Sequence, residues 1–412
     1  MCMQISGWTF VLACLFSAFS TAALNVFTIA GVFFWLISGN VIQQLKVIRK
    51  NYVIQVLFVF FLLLLLSVFW SSTSLEESLS GLKSYRKLLF FYAIFCICVF
   101  APVWRKRIFY GMFTSCFLLA IASVCVALGI PGFPAHDAYQ GAIVVKNHIT
   151  EGFMLGVLVL LGLRMTIFDS RLGIKVLGLL GAILGIFVAF YLINGRTGFL
   201  SVGLAVGAIV LYLPNSFRQK AILVLGAVLL FGVVLSTSDR FQTRFEQATV
   251  EIEKYADSSN HNSSMGLRMF YLESGFKIIQ KAPFLGHGVG SWKQEFDQLQ
   301  FDRGITYDDP AYHVCTNPHN DFVMIAAQLG LIGLACWLLF LSLIYRSGFL
   351  LNKADRLVLQ GLLLIYCGGA LFNSFTSDAT EGAVFLIMAA SLLSRSYEQV
   401  TVYHRGNSPI IV

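Results

Sequence analysis

The sequence predicts an all-α, polytopic membrane protein with about twelve transmembrane helices and one large outer loop that itself contains helices. Three observations carry this prediction. Only 12% of the 412 residues are charged, against about 25% in ordinary soluble chains. Hydrophobic residues make up 57% and the mean hydropathy is +0.77. The charges that do occur gather in short clusters between apolar runs, such as Lys46-Val47-Ile48-Arg49-Lys50 and Trp104-Arg105-Lys106-Arg107. The same figures exclude a soluble enzyme with a solvated surface. They exclude disorder too, which needs low hydrophobicity and high charge.

A bilayer core of about 30 Å needs roughly 20 apolar residues per helix. Candidate spans fall at 8–24, 26–42, 52–70, 88–104, 108–130, 151–168, 174–194, 197–213, 221–237, 319–345, 357–375 and 379–395. The run after Met1 lacks a basic leader region and reads as a retained first helix. This divides the chain into spans one to nine (1–237), a long outer segment (238–318), and spans ten to twelve with a cytoplasmic tail (319–412).

Charge sets the orientation. With the N-terminus inside, 16 of the 29 Lys and Arg residues fall on inner segments, from Lys46 to Arg405. Five fall on short outer loops: Lys83, Arg86, Lys87, Lys146 and Arg196. The rest lie in 238–318, whose length weakens the rule there. Both termini are therefore expected in the cytoplasm. The net charge of +8 does not point to nucleic acid, because no basic stripe is interleaved with aromatics. Seven of the nine cysteines sit inside apolar runs, where Cys acts as a small hydrophobe. Cys315 lies in the long segment without an obvious disulfide partner.

The long segment opens with Phe241, Phe245, Ala248, Ile252 and Tyr255, one apolar helical face suited to lying on the membrane or on the bundle. Residues 257–265 read as a polar loop in which His261 is solvated. A second helix is expected from Leu267 to Lys281, ended by Pro283 and the glycines at 286, 288 and 290. At about 100° per residue, Arg268 lies in the middle of that helix's apolar arc, opposite Lys277. A guanidinium there needs a partner. Two are open: a structural ion pair with an outer acid such as Asp321 or Asp378, or a bound anion.

Two further features lie on the same outer side. Asn194-Gly195-Arg196-Thr197-Gly198 joins two spans, with no acid beside the arginine in sequence. Glycine lets backbone approach a ligand, and a guanidinium forks onto phosphate; an interfacial Arg that reaches for lipid headgroups would look the same. Thr316-Asn317-Pro318-His319-Asn320-Asp321 then runs into an apolar helix. With Asn317 as cap and Pro318 at the first position, His319 is expected in the first turn, where the positive helix end keeps imidazole neutral. A surface histidine is the plain alternative, and it is the reading favoured for His148, whose role the sequence leaves open. Two arginines beside a neutral histidine suit one reaction class: the arginines neutralise a diphosphate leaving group while histidine takes the proton of an incoming hydroxyl. No cofactor is expected, and no Asp-rich or His/Cys cluster calls for a metal.

These pieces resemble the O-antigen ligase family (WaaL-type) of the O-antigen ligase/polymerase superfamily. The resemblance rests on the segments 194–198 and 281–292, on Pro318-His319-Asn320, on Gln328-Leu329-Gly330-Leu331-Ile332-Gly333, and on the twelve-span layout. It implies metal-independent, inverting transfer of a polysaccharide from undecaprenyl diphosphate to a lipid A-core sugar on the periplasmic face of the bacterial inner membrane. His319 would then be the base, and Arg196 and Arg268 the diphosphate ligands. Asp378, Asn320 and Asn317 would support them. Partners would be the lipid-linked donor, the lipid A-core acceptor and membrane lipids. A polymerase would use the same donor with a lipid-linked glycan as acceptor. A coupled transporter, the less favoured alternative, would need ionisable groups near mid-bilayer or interrupted helices in matching halves; the spans are almost free of central charges and show no internal repeat.

Overall fold

The computed structural model describes residues 1–133, 141–144, 147–214, 216–258, 263–309 and 312–406. The expectations for Lys146 and His261 fall outside them, as does the tail from 407. Among these residues the chain forms seventeen α-helices. The first seven are α1 (Cys2–Phe16), α2 (Thr21–Leu36), α3 (Val41–Ile48), α4 (Tyr52–Ser67), α5 (Leu75–Ser84), α6 (Leu88–Phe100) and α7 (Val103–Ala127). Next come α8 (His148–Phe168), α9 (Leu172–Phe187, continued by a π-turn at 188–192), α10 (Arg196–Tyr212) and α11 (Phe217–Thr237). The long segment folds into α12 (Asp239–Ser258), α13 (Ser264–Lys281) and α14 (Trp292–Phe301). The chain closes with α15 (Asp321–Ser347), α16 (Lys353–Ala370) and α17 (Glu381–Gly406).

Local chemistry starts many of these helices where they start. Side-chain oxygens of Ser20, Asn51, Ser74, Asn147, Ser216, Ser263, Asn320 and Asn352 each accept a backbone N–H of the first turn. Such caps are worth about 1 kcal/mol each.

Most expected spans fall largely on helix, but 8–24 straddles the break between α1 and α2, and 88–104 runs past the end of α6 into α7. Six helical segments are by themselves long and apolar enough to cross a bilayer: Tyr52–Trp70, Val103–Ala127, His148–Phe168, Leu172–Leu192, Phe217–Thr237 and Asp321–Leu350. The interval 26–42 is broken: α2 and α3 meet at 98° around Gly39, whose φ is +79°. The basic cluster at 104–107 belongs to the first turns of α7 and not to a connecting loop, because Pro102 begins that helix directly after α6. Helix α5 corresponds to none of the expected elements.

The core is one helical bundle centred on α8, which packs against α7, α9, α10 and α16. Small residues permit the closest approach. A Cβ on Gly152 of α8 would stand 2.5 Å from the Gly198 backbone nitrogen of α10. With lipid outside as apolar as the protein inside, such close backbone contact is what holds membrane helices together. It also fixes the start of α10, where Arg196 sits.

The long segment has an apolar centre of its own, made of Phe270, Tyr271, Ile278, Trp292, Phe296 and Leu299. That centre extends across the 318/319 boundary to Val323, Met324 and Ala327 of α15. Cys315 is buried in it, a free thiol that donates to the Asn317 carbonyl.

Candidate functional site

Helix α15 begins three residues later than the sequence suggests. Its cap is Asn320, whose Oδ1 accepts Val323 N–H, and not Asn317. Asn317 instead turns its Oδ1 back onto His319 N–H at 2.8 Å. His319 therefore lies before the helix, with φ of +50°, a left-handed conformation uncommon for a residue with a Cβ. A short polar side chain at 317 and a capping asparagine at 320 compete for the same helix start, and the second wins it.

The turn aims the His319 ring between two partners. One face stacks on Tyr271 of α13, with centroids 6.1 Å apart and planes 19° apart. Nδ1 lies 3.2 Å from Asn373 Oδ1, in the connection between α16 and α17. With Nδ1–H donating to that oxygen, Nε2 carries the lone pair, and it has no protein partner among the described residues. Asn373 is held in turn: its amide donates to Asp378 Oδ2 at 2.6 Å. Lys87 Nζ donates to the Asp378 carbonyl. Burial first, and the Arg268 charge second, hold His319 below the usual imidazole range, while the Asn373 bond works the other way. Burial and Arg268, and not a helix N-terminus, therefore favour the neutral ring that the sequence leads one to expect.

Asp321 locks this arrangement from below. It is buried, accepts Tyr366 O–H at 2.8 Å and Thr376 N–H at 3.0 Å, and so ties the start of α15 to α16 and to the connection that carries Asn373. Asn320 adds a bond from Nδ2 to Leu371 O, and Ser374 donates to Asn317 Oδ1 at 2.6 Å.

The two arginines meet on one cleft. Arg196, the first residue of α10, forks onto Glu251 of α12 with two bonds of 3.2 Å each. The acid missing beside it in sequence arrives from 55 residues away. Burial disfavours the Glu251 carboxylate, yet the Arg196 bonds and Met265 N–H hold it below its usual range. The Arg196 Nε is buried without a hydrogen-bond partner among the described residues. Arg268 is half-buried and makes no hydrogen bond or ion pair among the described residues. Neither acid offered by the sequence reaches it, because Asp321 is held by Tyr366 and Thr376 and Asp378 by Asn373. Burial, then the neighbouring Arg196, disfavour its charge, and Glu251 offsets part of this.

Arg196, Arg268 and Arg244 of α12 line a cleft of about 380 Å³. Its other walls are mainly apolar: Phe199, Leu200, Phe241, Phe245, Ala248 and Phe372. His319 does not line the cleft, but two of the cleft's residues relate to it: Phe372 precedes its partner Asn373 in sequence, and the Arg268 charge acts on its imidazole. Guanidinium groups at an apolar trough match a ligand with an anionic head and a hydrocarbon body. Sequence reasoning missed Arg244, Glu251 and Asn373. The π-turn and helix start that bring Arg196 into the cleft also bring His148, the first residue of α8, against Gly195. Among the described residues no group of three or more His, Cys, Asp or Glu side chains could hold a metal ion.

The glycine-rich segment has a structural role. Gly330 breaks α15 with φ 66° and ψ −171°. The carbonyls freed there, Ala327 and Gln328, accept the N–H groups of His287 and Gly288 at 2.9 and 2.8 Å. Leu331 N–H reaches Pro283 O at 2.7 Å. His287 is held at both ring nitrogens, by Glu295 Oε1 at 3.2 Å and Ile278 O at 3.0 Å. It is a bracket and not a free base.

Comparison with known proteins agrees with this stretch of chain. Residues 180–338 match the profile of the O-antigen ligase family, which bears out the resemblance read from the motifs between 194 and 333. A protein of Haemophilus influenzae, itself of uncharacterised function, is 26% identical over 251 residues. That alignment covers 60% of this chain and 60% of the relative's length.

Proposed function

We propose that the protein transfers a polysaccharide from undecaprenyl diphosphate to a hydroxyl of a lipid A-core sugar, at the periplasmic face of the inner membrane. The observation that carries this reading is the combination of His319, oriented through Nδ1 and with Nε2 unpartnered among the described residues, with an arginine-lined apolar cleft whose Arg268 acts on that imidazole. In this reading twelve spans cross the bilayer, both termini are cytoplasmic, and the segment from α12 to α14 lies on the periplasmic side.

His319 Nε2 takes the proton of the acceptor hydroxyl as its oxygen attacks the anomeric carbon. The bond from that carbon to the diphosphate oxygen breaks, with inversion. The departing undecaprenyl diphosphate leaves its charge on Arg268, Arg196 and Arg244. The aromatic wall accommodates the first part of its prenyl chain. Glu251 holds Arg196 in place until phosphate oxygens exchange for the carboxylate. Asn373, Asp378 and Asn317 keep the ring aimed and act through His319.

A polymerase reading shares the donor and differs in the acceptor. Lipopolysaccharide from a deletion strain, complemented with wild type or with His319→Ala, separates the two. Ligation predicts core without polymer in the deletion strain and in the variant, while polymer accumulates on its lipid carrier. Core bearing a single repeat would favour polymerisation. Normal long-chain lipopolysaccharide from His319→Ala would remove the histidine from the reaction.

A further inference from the structure

Basic residues at the other end of the bundle converge on a second site. Arg105 and Lys106 lie in the first turn of α7, Arg164 near the end of α8, Arg171 just before α9, and Arg395 on α17. From Glu151, near the His319 end of α8, to Arg164 is about 20 Å at 1.5 Å per residue. As a topological signal these cations need only be on the same side of the membrane. They are instead gathered around one polar hollow of about 150 Å³, with Asp169 and Asp355 as its acids.

Both acids are already engaged. Asp169 Oδ1 accepts the backbone N–H and Nε–H of Arg171 at 3.1 and 3.3 Å. Asp355 accepts from Arg395 and Asn352 and stands 3.9 Å from Arg164. Arg105 is buried, donating to Ser394 Oγ and Cys98 O at 2.7 Å each. Setting it aside, Lys106, Arg164, Arg171 and Arg395 still outnumber the two carboxylates. The buried Nε of Arg164 has no hydrogen-bond partner among the described residues.

A second hollow of about 380 Å³ shares Lys106 and Tyr110 with the first. It is an open trough along Val11, Val103, Gly111 and Thr114. At its head Arg107 lies on the rings of Trp8 and Trp104, 4.6 Å from each. Cationic surplus thus continues directly into an apolar channel on the outside of the bundle. A soluble anion would use only the first of these. Basic pockets between helices on the cytoplasmic side are how membrane proteins hold anionic headgroups, and half-exposed tryptophan belongs at the bilayer interface.

We propose that the two hollows form one binding site for an anionic phospholipid. Its phosphate sits at Lys106 and Arg171 beside Arg164, and an acyl chain lies along Val11, Val103 and Gly111. Only the choice of leaflet rests on the orientation proposed above; binding itself is independent of the transfer reaction. The lipid joins the middle of α1 and the first half of α7 to the end of α8 and the start of α9, at the end of the bundle away from the reaction site.

The test is native mass spectrometry of the purified full chain titrated with phosphatidylglycerol, phosphatidylcholine or inorganic phosphate. Lys106, Arg171 and Thr114 are exposed, so their variants are expected to fold, with thermal melting as the check. Phosphatidylglycerol should bind wild type at least tenfold more tightly than phosphatidylcholine. The double variant Lys106→Gln/Arg171→Gln should lose roughly 10–30-fold, since two surface cations are removed. Thr114→Trp, which fills the trough and keeps every cation, should weaken phosphatidylglycerol and leave inorganic phosphate unaffected. Equal binding of the two lipids would overturn the proposal, as would full phosphatidylglycerol affinity in either variant or displacement of the lipid by millimolar phosphate.

Discussion

Arg268→Gln tests the site most sharply, because Arg268 has two separable effects. Among the described residues it has no hydrogen bond or ion pair to give up on binding, whereas Arg196 must exchange two bonds to Glu251 for those to a ligand. A charge-assisted hydrogen bond contributes about 1.5–3 kcal/mol. Its loss should therefore weaken the diphosphate donor by roughly 10–150-fold at about 1.4 kcal/mol per factor of ten. Arg196→Gln should cost less. The second effect is on His319, whose imidazole Arg268 helps to hold below its usual range. A base works only when neutral, so activity falls as pH drops through the His319 pKa. Without Arg268 that pKa rises, and the acidic limb of kcat/KM moves to higher pH. Arg268→Lys keeps the charge and loses the fork, so it should weaken the donor while leaving the limb in place. The assay is transfer in detergent from a lipid-linked diphosphate donor, measured as kcat/KM across pH 5–8. A glutamine variant within twofold of wild type, with an unmoved acidic limb, would refute both the clamp and the coupling.

Two other substitutions probe how the site is held. Asn373→Leu removes the acceptor for His319 Nδ1–H, a bond worth about 1 kcal/mol, so kcat should fall by roughly fivefold with donor KM unchanged; a KM effect alone would place Asn373 in donor binding. Gly330→Ala forces a side chain into a conformation reserved for glycine, with its Cβ 2.1 Å from Phe284 O. It should destabilise the protein by about 2 kcal/mol or more, read as a lower Tm of the purified chain, and an unchanged Tm would show that the 283–288 segment can move aside.

Some of this site could be read in the sequence because its residues contradict their surroundings. Arg268 breaks the apolar arc of α13, Arg196 stands between glycines at a span boundary, and His319 precedes an apolar helix. Each signal is local. The residues that make them a site give no such signal. Glu251 is one of several acids on the polar side of α12, and Asn373 is an ordinary asparagine after α16. Arg244 looks like any solvated cation of an amphipathic helix. The start of α15 also misled, since Asn317-Pro318 and Asn320 both carry helix-start chemistry and only packing chooses between them.

Composition and hydropathy by themselves determined the class of protein and the position of its long apolar helices, because burial in lipid demands long apolar runs and self-contained backbone hydrogen bonds. The polar helix α5 and the breaks within 8–24 and 26–42 gave no such signal. Helix phase determined which arginine would be out of place. Tertiary structure alone decided what each charge meets: Arg196 with Glu251, Arg268 with no hydrogen bond or ion pair among the described residues, His319 with Asn373 54 residues on. Those choices depend on how closely α8 and α10 approach and how Asp321 ties three elements together. Pairing at such separations is a property of packing, and no periodicity along the chain encodes it.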